Sequence, residues 1–177
     1  MGGSILGSKA IYYFLKNKIK RKFIFIDNLE PKIRNKEKAV NIVVSKSGET
    51  LETISNVSAL NISKKDKNIF IIENNRSYLS KLAKDIKADI VEHKNFIGGR
   101  YSVLSEVGML PAELMGLNER NFKKYNYLIK NNKFIYQLIS NVENTINFIR
   151  KKKMNSIILN YDSYSENLFR WYQQLVS

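Results

Sequence analysis

The chain has 177 residues, 44% of them apolar, enough for one ordinary domain or one domain and part of another. It contains no cysteine, which excludes disulfides and thiolate metal sites and fits a reducing compartment. The formal charge of +14 invites a nucleic-acid partner, but the lysines are scattered through "KNKIKRK", "KKDK" and "RKKK" among Asn and Ile, as on solvated helix faces and turns. No apolar run approaches the roughly 20 residues of a membrane span, and "MGGSILGSKA" lacks the basic start of a secretory signal. The expectation is a soluble cytoplasmic protein with no nucleic-acid or membrane partner, whose basic charge attracts small anions.

In chain order, "MGGSILGS" has the composition of a glycine-rich turn entering a helix that continues through "KAIYYFLKN". Such turns follow a strand, so a first strand is expected ahead of Met1. Apolar β-branched runs then recur at "KFIFID" (Lys22–Asp27), "NIVVS" (Asn41–Ser45), "NIFIIE" (Asn68–Glu73) and "ADIVEH" (Ala88–His93). Between them lie helical patterns, with Leu51, Ile54, Val57 and Leu60 on one face and "SYLSKLAKDI" further on. Continuously apolar strands alternating with helices predict an α/β fold, a parallel sheet with helices on both faces. Beyond Gly99 the texture turns helical, over Ser102–Leu117 and, with Asn-rich interruptions, Asn118–Lys153. A fifth run, "NSIILNY" (Asn155–Tyr161), and the amphipathic "ENLFRWYQQLV" resume the alternation. The expected organisation is an α/β domain over 1–117 lacking its first strand, then a helical linker and the start of a second α/β domain over 118–177. The stripes Tyr12, Tyr13, Phe14 and Phe134, Ile135, Leu138 are read as core or helix-packing residues, some of them left exposed if the chain is incomplete.

Three stretches carry chemistry. In "GGSILGSKA" (Gly2–Ala10) adjacent glycines allow close backbone approach and Ser4 offers an amide and a hydroxyl at a helix start. Asp27, about twenty residues on at a strand end, keeps a dinucleotide site open, although the glycines lack G-x-G-x-x-G spacing. In "SKSGETLET" (Ser45–Thr53) the hydroxyls, lysine and glycine behind an apolar run have two readings. One is helix capping, with Ser47 as N-cap, Gly48 easing the turn and Glu49 on the helix dipole; the other is a cradle for an anion. In "GGRYSVLSEVGMLPAEL" (Gly98–Leu114), Gly98 and Gly99 leave room for a substrate, and Arg100 presents a planar fork suited to a developing oxyanion.

Together, in this order, the three stretches resemble the phosphoglucose isomerase family, and "LFRWYQQLVS" (Leu168–Ser177) is similar to the start of that family's segment leading to its catalytic glutamate. The resemblance covers almost the whole chain but a central slice of the enzyme, and implies a flavodoxin-like sugar isomerase domain. It implies that Ser45, Ser47 and Thr50, with the backbone of Lys46, hold a sugar phosphate and that Gly3 and Ser4 line the adjacent sugar site. Arg100, beside Gly99, would stabilise a cis-enediol(ate), and Gln174 would contact substrate. The implied reaction interconverts glucose 6-phosphate and fructose 6-phosphate with no metal or organic cofactor, in a homodimer.

By the motif's spacing the family's base falls immediately past Ser177, and its ring-opening histidine also lies beyond; His93, the sole histidine, is read as structural or exposed. Glu49, Glu52 and Glu106 match no base of the family, so the expectation is a fragment with little activity of its own. A noncatalytic sugar-phosphate-binding module is the alternative.

Overall fold

The computed structural model describes residues 4–29, 39–73, 75–153, 155 and 157–176. In chain order its elements are α1 (Ser4–Phe14), β1 (Val40–Ser45), α2 (Leu51–Ala59), β2 (Lys67–Ile72), α3 (Tyr78–Asp85), β3 (Asp89–Glu92), α4 (Glu106–Leu114), α5 (Glu119–Phe122), α6 (Asn132–Arg150) and α7 (Glu166–Val176). They fall into two units, one of residues 1–117 with 162–177 and one of residues 118–161.

The first unit is α/β. Strands β1, β2 and β3 form a parallel sheet in that order, with Val43 opposite Phe70 and Phe70 opposite Ile90. Pairing apolar residues in register puts Val43, Phe70 and Ile72 on one face, where Val57 of α2 and Leu79 and Ala83 of α3 close the core. Ile69 and Ile71 alternate to the opposite face and are buried too, so the central strand has no wet side, as its continuous apolar run requires. Each such side chain contributes roughly 1.5–3 kcal/mol by leaving water.

Local chemistry starts and stops the helices. Ser77 caps α3, its hydroxyl accepting from the Ser80 N–H. The left-handed Lys87 (φ 55°) ends the same helix, and the Ala88 N–H returns to the Ala83 carbonyl at 2.8 Å. Asn61 (φ 51°) stops α2 in the same conformation. On the other side α1 packs against α7, α4 and the 3-10 turn Gly99–Leu104. Contact is close enough that a Cβ placed on Gly7 would stand 2.8 Å from the Val103 Cβ.

Several expectations change. Lys22–Asp27 forms no strand: Phe23 and Phe25, two residues apart, pack their rings on Tyr12, 5.9 and 5.5 Å between centroids. The run thus buries apolar surface on α1 without a ladder, and a cleft of about 1060 Å³ separates it from β1. Among the described residues no strand runs through 157–161 either, and Ile157, Leu159 and Tyr161 are exposed. The helix expected over Ser102–Leu117 is broken at Ser105, whose extended backbone divides the 3-10 turn from α4.

In the second unit, Asn118 and Asn131 cap α5 and α6 through side chains that accept from Arg120 and Phe134 N–H groups. The stripe read as packing is exposed at Phe134 and Leu138, as are Val142 and Ile146 along the same helix. Of the other stripe, Tyr12 and Tyr13 pack together whereas Phe14 is exposed.

Candidate functional site

At the carboxyl end of β1 the chain turns through 46–50 before α2 begins. Gly48 has φ +68°, a conformation that glycine adopts without penalty, and its N–H donates to the Ser45 hydroxyl at 3.1 Å. That buried hydroxyl also lies 3.0 Å from the Thr50 hydroxyl. The Ser47 hydroxyl accepts from the Glu49 N–H at 3.1 Å. One hydroxyl pair and two N–H-to-hydroxyl bonds thus fold the turn on itself directly ahead of a helix whose first N–H groups lack intrahelical acceptors.

The capping assignment needs correction. The N-cap of α2 is Thr50, not Ser47, and its side chain makes no cap hydrogen bond. The turn spends three more residues than a minimal cap before the helix starts, and Thr50 is drawn to Ser45 instead. Glu49 serves a different helix: its carboxylate accepts from the Tyr78 N–H at 2.7 Å, at the start of α3. The Leu79 N–H donates to the Gly48 carbonyl at 3.1 Å, so α3 holds the turn from below.

Ser4, Ser45, Lys46, Ser47, Thr50 and Gly99 all line the one cleft, on the rim formed by the carboxyl ends of the parallel strands. Gly3 lies outside the described residues. The Lys46 ammonium points along the rim, donating to the Asn95 and Ile97 carbonyls at 2.7 and 3.1 Å, with Glu73 at 3.7 Å. Lys46 thus lines the cleft while its ammonium steadies the β3–α4 connection.

Arg100 and Gln174 are brought together, though neither lines that cleft. The Arg100 guanidinium donates to the Gln174 carbonyl at 2.8 Å, and the Trp171 indole donates back to the Arg100 carbonyl at 2.8 Å. Trp171 was not singled out in the sequence; its place three residues before Gln174, on the same face of α7, was the available signal.

His93 is buried and its Nδ1 bonds the Glu106 carboxylate. Burial pushes the Glu106 carboxyl up, but the His93 hydrogen bond, the backbone N–H groups of Glu106 and Lys94 and the attraction of His93 outweigh it, holding the group below its ordinary value. Glu106 is thus committed to His93 and Glu49 to α3, while Glu52 stands in the first turn of α2, where a negative charge favours the helix dipole. Asp27, the support for a dinucleotide site, is paired with the Lys9 ammonium at 2.5 Å. Among the described residues no three His, Cys, Asp or Glu side chains gather as they do round a metal ion, and no helix is long and apolar enough to cross a membrane.

The sequence matches the phosphoglucose isomerase family over residues 1–176. It is 30% identical to glucose-6-phosphate isomerase of Methanocaldococcus jannaschii, over 99% of this chain and 48% of the relative. Against the enzyme of the same name from Borreliella burgdorferi strain ZS7 the identity is 31%, over 99% of this chain and 38% of the relative. The chain therefore spans less than half the length of these curated relatives. The crystal structure of a hypothetical protein from Thermus thermophilus superposes with a TM-score of 0.57 at 26% identity, covering 67% of this chain and 32% of that one. Matched over residues 1–176, the chain belongs to the phosphoglucose isomerase family.

Proposed function

We propose that this chain supplies the phosphate-holding part of an aldose-ketose isomerase site that interconverts glucose 6-phosphate and fructose 6-phosphate. The observation that carries the proposal is the convergence of Ser4, Ser45, Lys46, Ser47, Thr50 and Gly99 on one cleft at the strand ends. Phosphate oxygens there meet hydroxyls and helix-start N–H groups, the donors an anion needs. Arg100, held on α7 through Gln174, is the charge suited to a cis-enediol(ate) formed as a proton moves between C1 and C2. Gln174 then contacts substrate beside it. Gly3 is assigned to the sugar site with Ser4. Membership in the family supports these roles, as well as a homodimer and a cytoplasmic location for the full-length protein.

Of the carboxylates nearest these motifs, Glu49 bonds the start of α3 and Glu106 bonds His93, while Glu52 lines the cleft from the first turn of α2 but matches no base of the family, so the residues at hand support binding better than proton transfer. Calorimetric titration with 6-phosphogluconate and with inorganic phosphate tests the proposal, alongside a coupled isomerase assay. Competitive binding of both ligands, with turnover far below ordinary isomerase rates, is expected. Arg100→Ala should weaken 6-phosphogluconate about tenfold while sparing phosphate. Failure of both ligands to bind at millimolar concentration would remove the proposal, and rapid turnover would overturn its noncatalytic part.

A further inference from the structure

The Gly98–Gly99–Arg100 sequence sits in the connection from β3 to α4, a long irregular segment for a group that must be aimed. His93 stands at its start and Glu106 at its end. The Glu106 carboxylate takes the His93 ring, its own N–H and the backbone N–H of Lys94, gathering both ends of the connection on one side chain. An ionised carboxylate only accepts, which assigns the shared proton to Nδ1 of His93. The ring is otherwise enclosed: its side chain is 1% exposed and Nε2 has no hydrogen-bond partner among the described residues. The His93 N–H also donates to the Ile72 carbonyl at 3.0 Å, fixing the histidine to the central strand.

A half-buried polar pair such as this one is a modest source of net stability, because desolvation offsets much of the attraction, yet its directional bonds single out one backbone arrangement. Here that arrangement places Gly99 on the cleft and Arg100 against α7. We infer that His93 and Glu106 are positioning residues, a clasp that closes the β3–α4 connection at its two ends and so fixes Gly99 on the cleft and Arg100 against α7, the placement from which Arg100 would serve the proposed site. Lys46, bonded to the Asn95 and Ile97 carbonyls, ties the middle of the same connection to the phosphate turn. The clasp's geometry stands by itself; its role toward a ligand rests on the proposed function.

Two measurements on the full chain separate these parts. The first is hydrogen-deuterium exchange of peptides spanning 94–105 in the wild type, Glu106→Ala, His93→Phe and Glu106→Gln, the last retaining an acceptor of the same shape. Exchange across 94–105 should accelerate about tenfold in the first two variants, with peptides from β1 and β2 changing less than about twofold and Glu106→Gln intermediate. The second is the ratio of phosphate to 6-phosphogluconate dissociation constants. Losing the aim of Arg100 should reduce that ratio about tenfold while phosphate affinity stays within about twofold.

Unchanged exchange over 94–105 overturns the clasp, as does acceleration spread evenly over the sheet, which marks an ordinary core contact. Equal weakening of both ligands overturns the positioning role. If Glu106→Ala does not fold, Glu106→Gln decides through the same two readouts. A wild type that binds neither ligand removes the sugar-phosphate proposal and the positioning role with it, while the exchange data still establish or refute the clasp.

Discussion

Replacing Gly48 by alanine should damage the turn more than any other single methyl group added there. Gly48 sits at φ +68°, where an L-residue costs about 1–2 kcal/mol. A Cβ at this position would also run into the hydroxyl of Ser77, and would stand 3.0 Å from the Ile72 Cγ2. Ser77 is the N-cap of α3, so moving it forfeits a further contribution of about 1 kcal/mol. The expected cost of Gly48→Ala is therefore about 2–3 kcal/mol, a large share of the roughly 5–15 kcal/mol typical of a domain. Urea denaturation followed by far-ultraviolet circular dichroism measures it. A Ser77→Gly background sharpens the test, since a glycine cap costs only a few tenths of a kcal/mol and removes the obstructing hydroxyl. In that background Gly48→Ala should cost about 1 kcal/mol less, a coupling visible in a double-mutant cycle. Additive effects, or a Gly48→Ala variant within about 0.5 kcal/mol of wild type, would refute the account of how the turn is docked.

Ser45→Ala removes the acceptor for the Gly48 N–H and the partner of Thr50. It should cost about 1–2 kcal/mol by urea denaturation and weaken phosphate binding about tenfold by calorimetry. Glu49→Gln weakens the bond to the Tyr78 N–H and should lower stability by about 0.5–1 kcal/mol. It also takes a negative charge from the cleft lining, so phosphate should bind equally well or better, and a clear loss of affinity would make Glu49 part of the ligand site. The Glu106 carboxyl is held below its ordinary value of 4.5, so its stabilisation is fully present above that pH and is lost as pH falls through the lower folded value. Glu106→Gln should flatten the acid limb of stability below that range, and parallel limbs in variant and wild type would count against the assigned shift.

The sequence by itself determined the class of fold and the place of the hydroxyl-rich turn at a strand end. Runs such as "NIFIIE" are too continuously apolar for a one-sided sheet, and the hydroxyl-rich turn behind "NIVVS" marks a strand's carboxyl end because the residue types there serve local backbone geometry. These signals survive because they depend on residues close in the chain. Which runs actually pair does not: "KFIFID" and "NIFIIE" look alike, yet the first spends its aromatic side chains on α1 and lies across a cleft from β1, while the second is the central strand. Side-chain partners over long separations were equally hidden. Glu49 was read on its own helix but bonds the next one, and Lys46 reaches a loop 49 residues on. His93 and Glu106 meet only because β3 and the broken helix beyond Arg100 bring the ends of one connection together. Hydrogen bonds are satisfied by whatever group the packed chain delivers within about 3 Å, and only the tertiary structure decides which group that is.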